Sequence, residues 1–253
     1  MSIKRSIGNF IRKHHASPII VRGARLCSTY LYYYFNEKYW NMEKNGEILL
    51  LKVISSQINR IPDHKLTIFD VGANKGDYVK AVRSVIPNSI IHCFEVVPET
   101  RELLKSNLSS DTKDVIISNY GLSDKLGTLE IGFNKKYDTK ARVSSNIRKK
   151  ERVIDCPVQT GEQYCCENSI EDIELLKIDT EGHEVPILEG FRNILHKIKT
   201  IQFEYGSTWI LEKHFLWEAY ELLEPAGFQI GRLYPDGVLF KPYNRKEDDH
   251  FRM

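Results

Sequence analysis

No C-x-x-C pair occurs among the five cysteines of this 253-residue chain. Cys27, Cys93, Cys156, Cys165 and Cys166 are odd in number, and the vicinal pair Cys165-Cys166 suits neither a disulfide framework nor a zinc site. The pattern argues against a disulfide-stapled secreted domain and for a reducing, cytoplasmic setting. Long apolar runs are missing as well. Arg12, Lys13, Arg22 and Arg25 break each stretch that could serve as a signal-peptide core, and no run approaches the roughly 18 apolar residues that span a bilayer. Residues 1–36 contain no Asp or Glu and six Lys/Arg (Lys4, Arg5, Arg12, Lys13, Arg22, Arg25), so the formal net charge of +2 divides into +6 there and −4 over the rest. Such an arm is either a solvated tail or a contact for nucleic acid, an anionic membrane surface or a phosphorylated substrate.

What is present is globular. With 42% hydrophobic and 28% charged residues the chain can bury one substantial core, and it divides into a basic, aromatic-rich helical extension over residues 1–61 and a main domain over residues 62–253. In the extension, "LCSTYLYYYFNEKYW" (Leu26–Trp40) places aromatics on more than one side of any helix drawn through it. A helix of that kind needs cover, by the core, by a second subunit in a homo-oligomer or by a membrane surface, and core packing is the plainest expectation. Next, "GEILLLKVISSQINRI" spaces Leu51, Ile54, Ile58 and Ile61 as an amphipathic helix that ends near Pro62.

After that helix the pattern changes. "KLTIFDV", "SIIHCFEV", "DVIISNY", "IELLKID" and "TIQFEY" are short β-rich runs, separated by helical stretches at Tyr78–Val85, Pro98–Leu108 and Val185–Ile198. Parallel neighbours need crossovers and helices supply them, so the class is α/β, a mainly parallel sheet wrapped on both faces. Leu126–Phe133 is expected to form a strand of a hairpin appended to that sheet. Residues 134–152 carry eight Lys/Arg against Asp138 and Glu151, and are expected to form a surface loop, either solvated or a rim that recognises an anionic substrate.

The joint "TIFDVGANKGDY" raises the question of a ligand. Asp70 ends an apolar strand, and Gly72, Ala73, Asn74, Lys75 and Gly76 turn into a helix, the place where open α/β sheets hold ligands. Glycines let a ligand approach the main chain, and helix N-terminal amides favour an anionic group. Glu95, 25 positions after Asp70 at the end of the next strand, can accept from two ribose hydroxyls. A nucleoside with a charged end fits. "DVGANKG" lacks the three-glycine G-x-G-x-x-G fingerprint of a dinucleotide site, and an aspartate there repels a pyrophosphate but pairs with a cationic α-amino group. S-adenosylmethionine is therefore favoured over a nicotinamide or flavin dinucleotide.

In order and spacing, "FDVGANKGDY", "FEVVPE", "NYGLSD", "LLKIDTEGHEVPILEG" and "IQFEYG" resemble the FkbM family of S-adenosylmethionine-dependent methyltransferases, from about Gly46 to about Tyr243. The resemblance implies a Rossmann-like methyltransferase fold over residues 62–253 and O-methylation, in many members of a sugar hydroxyl on a glycan or secondary metabolite. It implies that Asp70, Gly72, Ala73, Asn74 and Gly76 line the methionine part of the cofactor, that Glu95 holds its ribose, and that Ser123 and Asp124 lie beside adenine, with Asp124 accepting from the exocyclic amine. Members often continue beyond the "YNRKEDDHF" region, so an acceptor side that is less enclosed, or covered by the basic segment, is expected.

Methyl transfer needs in-line placement and a route for the hydroxyl proton. Asp179 ends "LLKID" and Glu204 closes "IQFE", and in the family's fold both strand ends face the methyl group. They are expected to act as base and orienting partner, or to hold Mg²⁺ that acidifies the acceptor oxygen. Glu181 and His183 of "DTEGHE" join them as catalytic candidates, His183 as a proton carrier near neutral pH. Glu184 is read as a helix-dipole complement. His183-Glu184 is not a zinc-protease motif, because position 187 is Ile. The expected acceptor is a carbohydrate or glycoconjugate, neutral or anionic, with peripheral membrane contact through the arm. The competing reading is a non-catalytic binder of nucleic acid or anionic membrane through the arm and the 134–152 segment, although no nucleic-acid recognition signature accompanies those charges.

Overall fold

Side chains alternate by two along strands and recur by three or four along helices, and the change of period assigns each segment its element. The computed structural model describes residues 3–34, 41–58, 65–108, 113–134, 138–143 and 152–248. Four helices come first: α1 (Ile3–Lys13), α2 (Pro18–Tyr34), α3 (Met42–Asn45) and α4 (Glu47–Ile58). The alternating part follows as β1 (Leu66–Val71), α5 (Asp77–Val85), β2 (Ser89–Phe94), α6 (Pro98–Asn107) and β3 (Val115–Ser118). Four further strands and a helix intervene or lead back to the sheet: β4 (Gly121–Leu122), β5 (Gly127–Asn134), β6 (Asp138–Val143), β7 (Arg152–Gln159) and α7 (Gly161–Glu167). The chain then forms β8 (Ile173–Ile178), α8 (Glu184–Glu189), a 3-10 turn (Arg192–Lys197) and β9 (Ile198–Phe203). Last are α9 (Ser207–Leu211), α10 (Leu216–Leu223), β10 (Gly231–Tyr234), β11 (Gly237–Phe240) and α11 (Arg245–Asp248).

The central sheet is parallel, in the order β3-β2-β1-β8-β9. Its strands are covered on both faces, which is why they read as nearly continuous apolar runs. Phe69, Val71, Leu176 and Ile178 share one core with Tyr164, Leu188, Phe191 and Trp209. Ile68, Ile91, Cys93 and Leu175, of the opposite parity, share the other with Leu51 and Ile54 of α4, Val79 and Val82 of α5 and Leu104 of α6. The chain leaves β1 for β2 and β3, then returns to pair β8 on the other side of β1. That reversal opens a crevice beyond the carboxyl ends of β1 and β8. The Rossmann-like expectation is met.

Several elements differ from the sequence-based expectation. The hairpin strands are not appended to the central sheet; they form a separate four-stranded sheet in the order β4-β7-β5-β6. Its β6 lies inside the segment expected to be loop, because an edge strand needs only backbone pairing on one side and tolerates charged residues. The remainder of that segment lies outside the described residues. The expected helix Val185–Ile198 is broken at Gly190, where a Cβ would sit 2.1 Å from the Ser123 carbonyl oxygen, too close for a continuous helix of larger residues to pass. The hairpin β10–β11, joined by Pro235 and Asp236, was not among the expected elements, although "YPDG" is turn chemistry. The aromatic helix is not packed in the core as expected, since Leu26, Tyr30 and Tyr33 are exposed; the side chains of Tyr32 and Tyr34, and residues 35–40, lie outside the description.

Candidate active site

The turn after β1 is shaped by close approaches. Gly72 has φ +83°, and a Cβ there would lie 1.9 Å from the Asp179 carbonyl oxygen, so any side chain would force apart the ends of β1 and β8. The Asp179 N–H donates to Val71 O across the same gap (2.9 Å). Gly76, at φ +88°, meets the Leu104 side chain in the same way at 2.7 Å. Between them the N–H groups of Gly72 and Ala73 donate to Phe94 O, which anchors the turn to the end of β2. Asn74 adopts φ +48°, a left-handed conformation that asparagine tolerates better than most residues. Its Oδ1 is buried and accepts no hydrogen bond among the described residues. A buried acceptor left open in this way is costly unless something donates to it.

Glu95 follows β2 and is almost fully buried. Its Oε2 accepts from the Asn74 N–H (3.0 Å) and its Oε1 from the Val97 N–H (2.8 Å). Burial pushes its pKa up to about 7 despite those two donors, and each oxygen retains a lone pair for a further donor. Ser123, also buried, donates its hydroxyl to Asp124 Oδ1 (2.9 Å), and its oxygen lies 3.0 Å from His183 Nε2. With the one hydroxyl proton engaged by Asp124, the second contact requires Nε2–H as donor, which assigns the tautomer. Burial holds the His183 pKa down to about 4, against the pull of Asp124 and Glu212, so the ring is neutral at pH 7.

A buried lysine organises the base of the crevice. Asp70 and Lys177 are register partners on β1 and β8, and Lys177 Nζ lies 3.0 Å from Asp70 Oδ1 and 3.6 Å from Asp179 Oδ2. Asp70 is 0% exposed, so its carboxylate sits beneath the turn rather than in its mouth. Burial opposes the charge on Lys177, but Asp70, Asp179 and Glu47 together outweigh it and raise its pKa above the ordinary lysine value. The ammonium also lies 5.2 Å from the centre of the Tyr78 ring. Burial pushes the Tyr78 phenol up, so it stays a donor, to Gln202 Oε1 (2.9 Å), and Gln202 Nε2 donates to Glu47 Oε1 (2.8 Å). This chain of contacts ties α4, α5, β1, β8 and β9 together.

Above Lys177, the paired ends of β8 and β9 bring Asp179 and Glu204 side by side, with the Glu204 N–H donating to Ile178 O (3.1 Å). Carboxylate oxygens of Asp179, Glu181 and Glu204 lie within 4.8 Å of one another. Three hard oxygen donors at that separation could hold a divalent cation or take up a proton. Glu184 is elsewhere engaged: its Oε1 accepts from the Thr180 N–H (2.8 Å) and hydroxyl, and its Oε2 from the Gly182 N–H (3.0 Å), which braces the turn ahead of α8.

Of the four catalytic candidates, the structure gathers Asp179, Glu181 and Glu204 into one cluster and sets His183 against Ser123 and Asp124 instead. Among the proposed cofactor residues, Gly72, Ala73, Asn74, Gly76 and Glu95 form one continuous surface around the turn, whereas Asp70 faces Lys177. Sequence reasoning missed Lys177, Tyr78 and Gln202. The available signal was a lysine inside the otherwise apolar run "ELLKID", since a charge in a strand buried on both faces must have a partner.

Comparison with known proteins adds relatives. The family described as methyltransferase FkbM domain matches residues 70–230. The 2-O-methyltransferase NoeI of Sinorhizobium fredii is 23% identical over 206 residues, covering 74% of this chain and 82% of the relative. The hexuronic acid methyltransferase AglP of Haloferax volcanii is 25% identical over 142 residues, 54% of each chain, so the match spans about half of that relative. The crystal structure of precorrin-6y C5,15-methyltransferase from Geobacter metallireducens superposes with a TM-score of 0.38 at 15% identity, covering 70% of this chain and 69% of the other.

Proposed function

The chain belongs to the methyltransferase FkbM domain family, and from that premise we propose that it transfers a methyl group from S-adenosylmethionine to a hydroxyl of a sugar in a glycan or glycoconjugate. The observation that carries the reading is the placement of Asp179, Glu181 and Glu204 together beyond β8 and β9, next to the Gly72–Gly76 turn. The residues of the turn suit the cofactor: the buried, open Asn74 Oδ1 is an acceptor for an ammonium group, and the Glu95 carboxylate has lone pairs left for ribose hydroxyls. S-adenosylmethionine, when bound, supplies a methyl group on a cationic sulfur.

The rest of the chemistry belongs to the chain. Asn74 and Glu95 hold the two ends of the donor's methionine and ribose parts. Ser123 and Asp124 border the adenine, with the neutral His183 ring fixing the Ser123 hydroxyl. Lys177 orients Asp179 from below, its ammonium 3.6 Å from Oδ2, and Asp70 acts through Lys177 rather than on the ligand. The acceptor hydroxyl loses its proton to a carboxylate oxygen of Asp179 or Glu204 as its oxygen takes the methyl group. The same cluster, with Glu181, would hold Mg²⁺ if one takes part, and the ion would supply the positive charge that lowers the hydroxyl's pKa there.

The relatives support the acceptor class. One is named for 2-O-methylation and the other for a hexuronic acid, a sugar that is anionic at neutral pH. The excess of Lys/Arg over residues 134–152 suits such an acceptor. Calorimetric titration with S-adenosylmethionine, followed by a screen of methyl transfer from labelled donor to nucleotide sugars, lipid-linked glycans and free glycans, tests the proposal. Donor binding with transfer to a sugar is expected. Absence of both heat and thermal stabilisation at saturating donor would overturn the cofactor, and full turnover by Asp179→Asn would remove that residue from the reaction. Exhaustive treatment with a chelator, with and without added Mg²⁺, separates the metal from the proton-acceptor route.

A further inference from the structure

α1 reads IKRSIGNFIRK, and Ile3, Ile7, Phe10 and Ile11 recur at the spacing of a single helical face. Those four side chains are 78%, 54%, 58% and 44% exposed, and no residue of α1 is buried against the rest of the chain. Lys4, Arg5, Arg12 and Lys13 occupy the remainder of the circumference. An apolar stripe flanked by cations and left in water marks a surface made to be covered. α2 continues the pattern, with Ile19 and Leu26 strongly exposed, Arg22 and Arg25 between them, and the exposed rings of Tyr30 and Tyr33 towards its end.

We propose that α1, with α2 beside it, docks the protein on the surface of an anionic lipid bilayer, the apolar stripe of α1 lying in the interface and its Lys/Arg side chains meeting the headgroups. Two independent properties of the segment fit that occupant together. The stripe provides the insertion surface of an interfacial helix. The six Lys/Arg of residues 1–36, with no acidic residue among them, provide charge complementarity to an anionic leaflet. Tyrosine rings partition well into the same interfacial zone. Nucleic acid would complement the charge and leave the stripe in water. A second copy would cover the stripe and bring two cationic faces together. No helix of the described residues is long and apolar enough to cross a membrane, so the contact is peripheral.

The test is sedimentation of the full chain with vesicles of phosphatidylcholine containing phosphatidylglycerol, against vesicles of phosphatidylcholine alone. Strong preference for the anionic vesicles is expected. The double variant Ile7→Asp/Phe10→Asp should weaken binding by at least about tenfold, because it puts charge into the stripe. Lys4→Ala/Arg5→Ala should lower the anionic preference by about fivefold for each charge removed. Both variants should keep the thermal unfolding and S-adenosylmethionine affinity of the parent, since α1 contributes nothing to either core. Equal binding to both vesicle types, or no loss in the stripe variant, would overturn the proposal. So would earlier unfolding of the stripe variant, which would place α1 within the fold. Self-association without vesicles that the stripe variant abolishes would identify a second copy as the occupant, and salt-sensitive retention on RNA unaffected by the stripe variant would identify nucleic acid.

Discussion

Replacing Lys177 with methionine tests whether the base of the crevice is an ion pair that the fold depends on. The substitution keeps most of the aliphatic stem and removes the ammonium, leaving Asp70 fully buried without its partner at 3.0 Å. Breaking one side of a buried pair costs about 3–5 kcal/mol. The penalty has a ceiling, because Asp70 can protonate instead: carrying a carboxyl of ordinary pKa as the neutral acid at pH 7 costs about 4 kcal/mol, and about 1.4 kcal/mol less for each unit the pH is lowered. Burial already holds the Asp70 carboxyl above the usual carboxylate range against the pull of Lys177, and in the variant it rises further. The added destabilisation is therefore small near the parent's folded-state pKa and grows as pH rises toward that of the variant. Urea denaturation at pH 7 and pH 5 should show a loss of up to about 4 kcal/mol at pH 7 that shrinks to at most about 1–2 kcal/mol at pH 5. The double variant Asp70→Asn/Lys177→Met removes both charges and should recover to within about 1–2 kcal/mol of the parent at pH 7. A penalty unchanged between the two pH values, or a double variant no more stable than Lys177→Met, would show that packing, not an unpaired charge, accounts for the loss.

Three other outcomes follow from the geometry. Gly72→Ala must fit a Cβ against the Asp179 carbonyl oxygen at φ +83°, and the strain and overlap together should lower stability by about 2–5 kcal/mol in urea titration; a change under about 0.5 kcal/mol would contradict the close approach. With the Glu95 pKa at about 7, ionisation improves it as an acceptor, so S-adenosylmethionine affinity should strengthen by up to about tenfold as pH rises through 7, and Glu95→Gln should flatten that dependence in calorimetry. Burial lowers the His92 pKa to about 4, so the unfolded chain binds its proton first as pH falls. The resulting loss of stability begins below about 6.5, reaches up to about 3 kcal/mol near pH 4, and should be missing from the acid limb of His92→Phe in thermal melts; identical limbs would dismiss it.

The central sheet was legible because its strands are local: each of β1, β2, β3, β8 and β9 announces itself as an apolar run closed by a polar residue. The turn at Gly72–Gly76 and the carboxylates at Asp179 and Glu204 were legible for the same reason, since their spacing relative to the strand ends is written in the chain. Where a candidate's surroundings differed from its neighbours in sequence, the deciding contact was distant. His183 looked like a partner of Asp179, four residues away, yet its ring meets Ser123, sixty positions earlier, because Gly190 lets the end of α8 close onto the Ser123 turn. Asp70 looked like a ligand contact, yet the β1–β8 register puts Lys177 against it.

By itself, the sequence determined the periods, the glycine turn, the order of strands and helices and the residues available at each strand end, because these depend on neighbours along the chain. Only the tertiary structure decided which of those residues face one another: Lys177 under Asp70 and Asp179, Tyr78 to Gln202 to Glu47, and α1 left with its apolar stripe in water. The physical reason is that an ion pair, a tautomer or an exposed face is a property of distances across the fold, and strand register and helix packing set those distances.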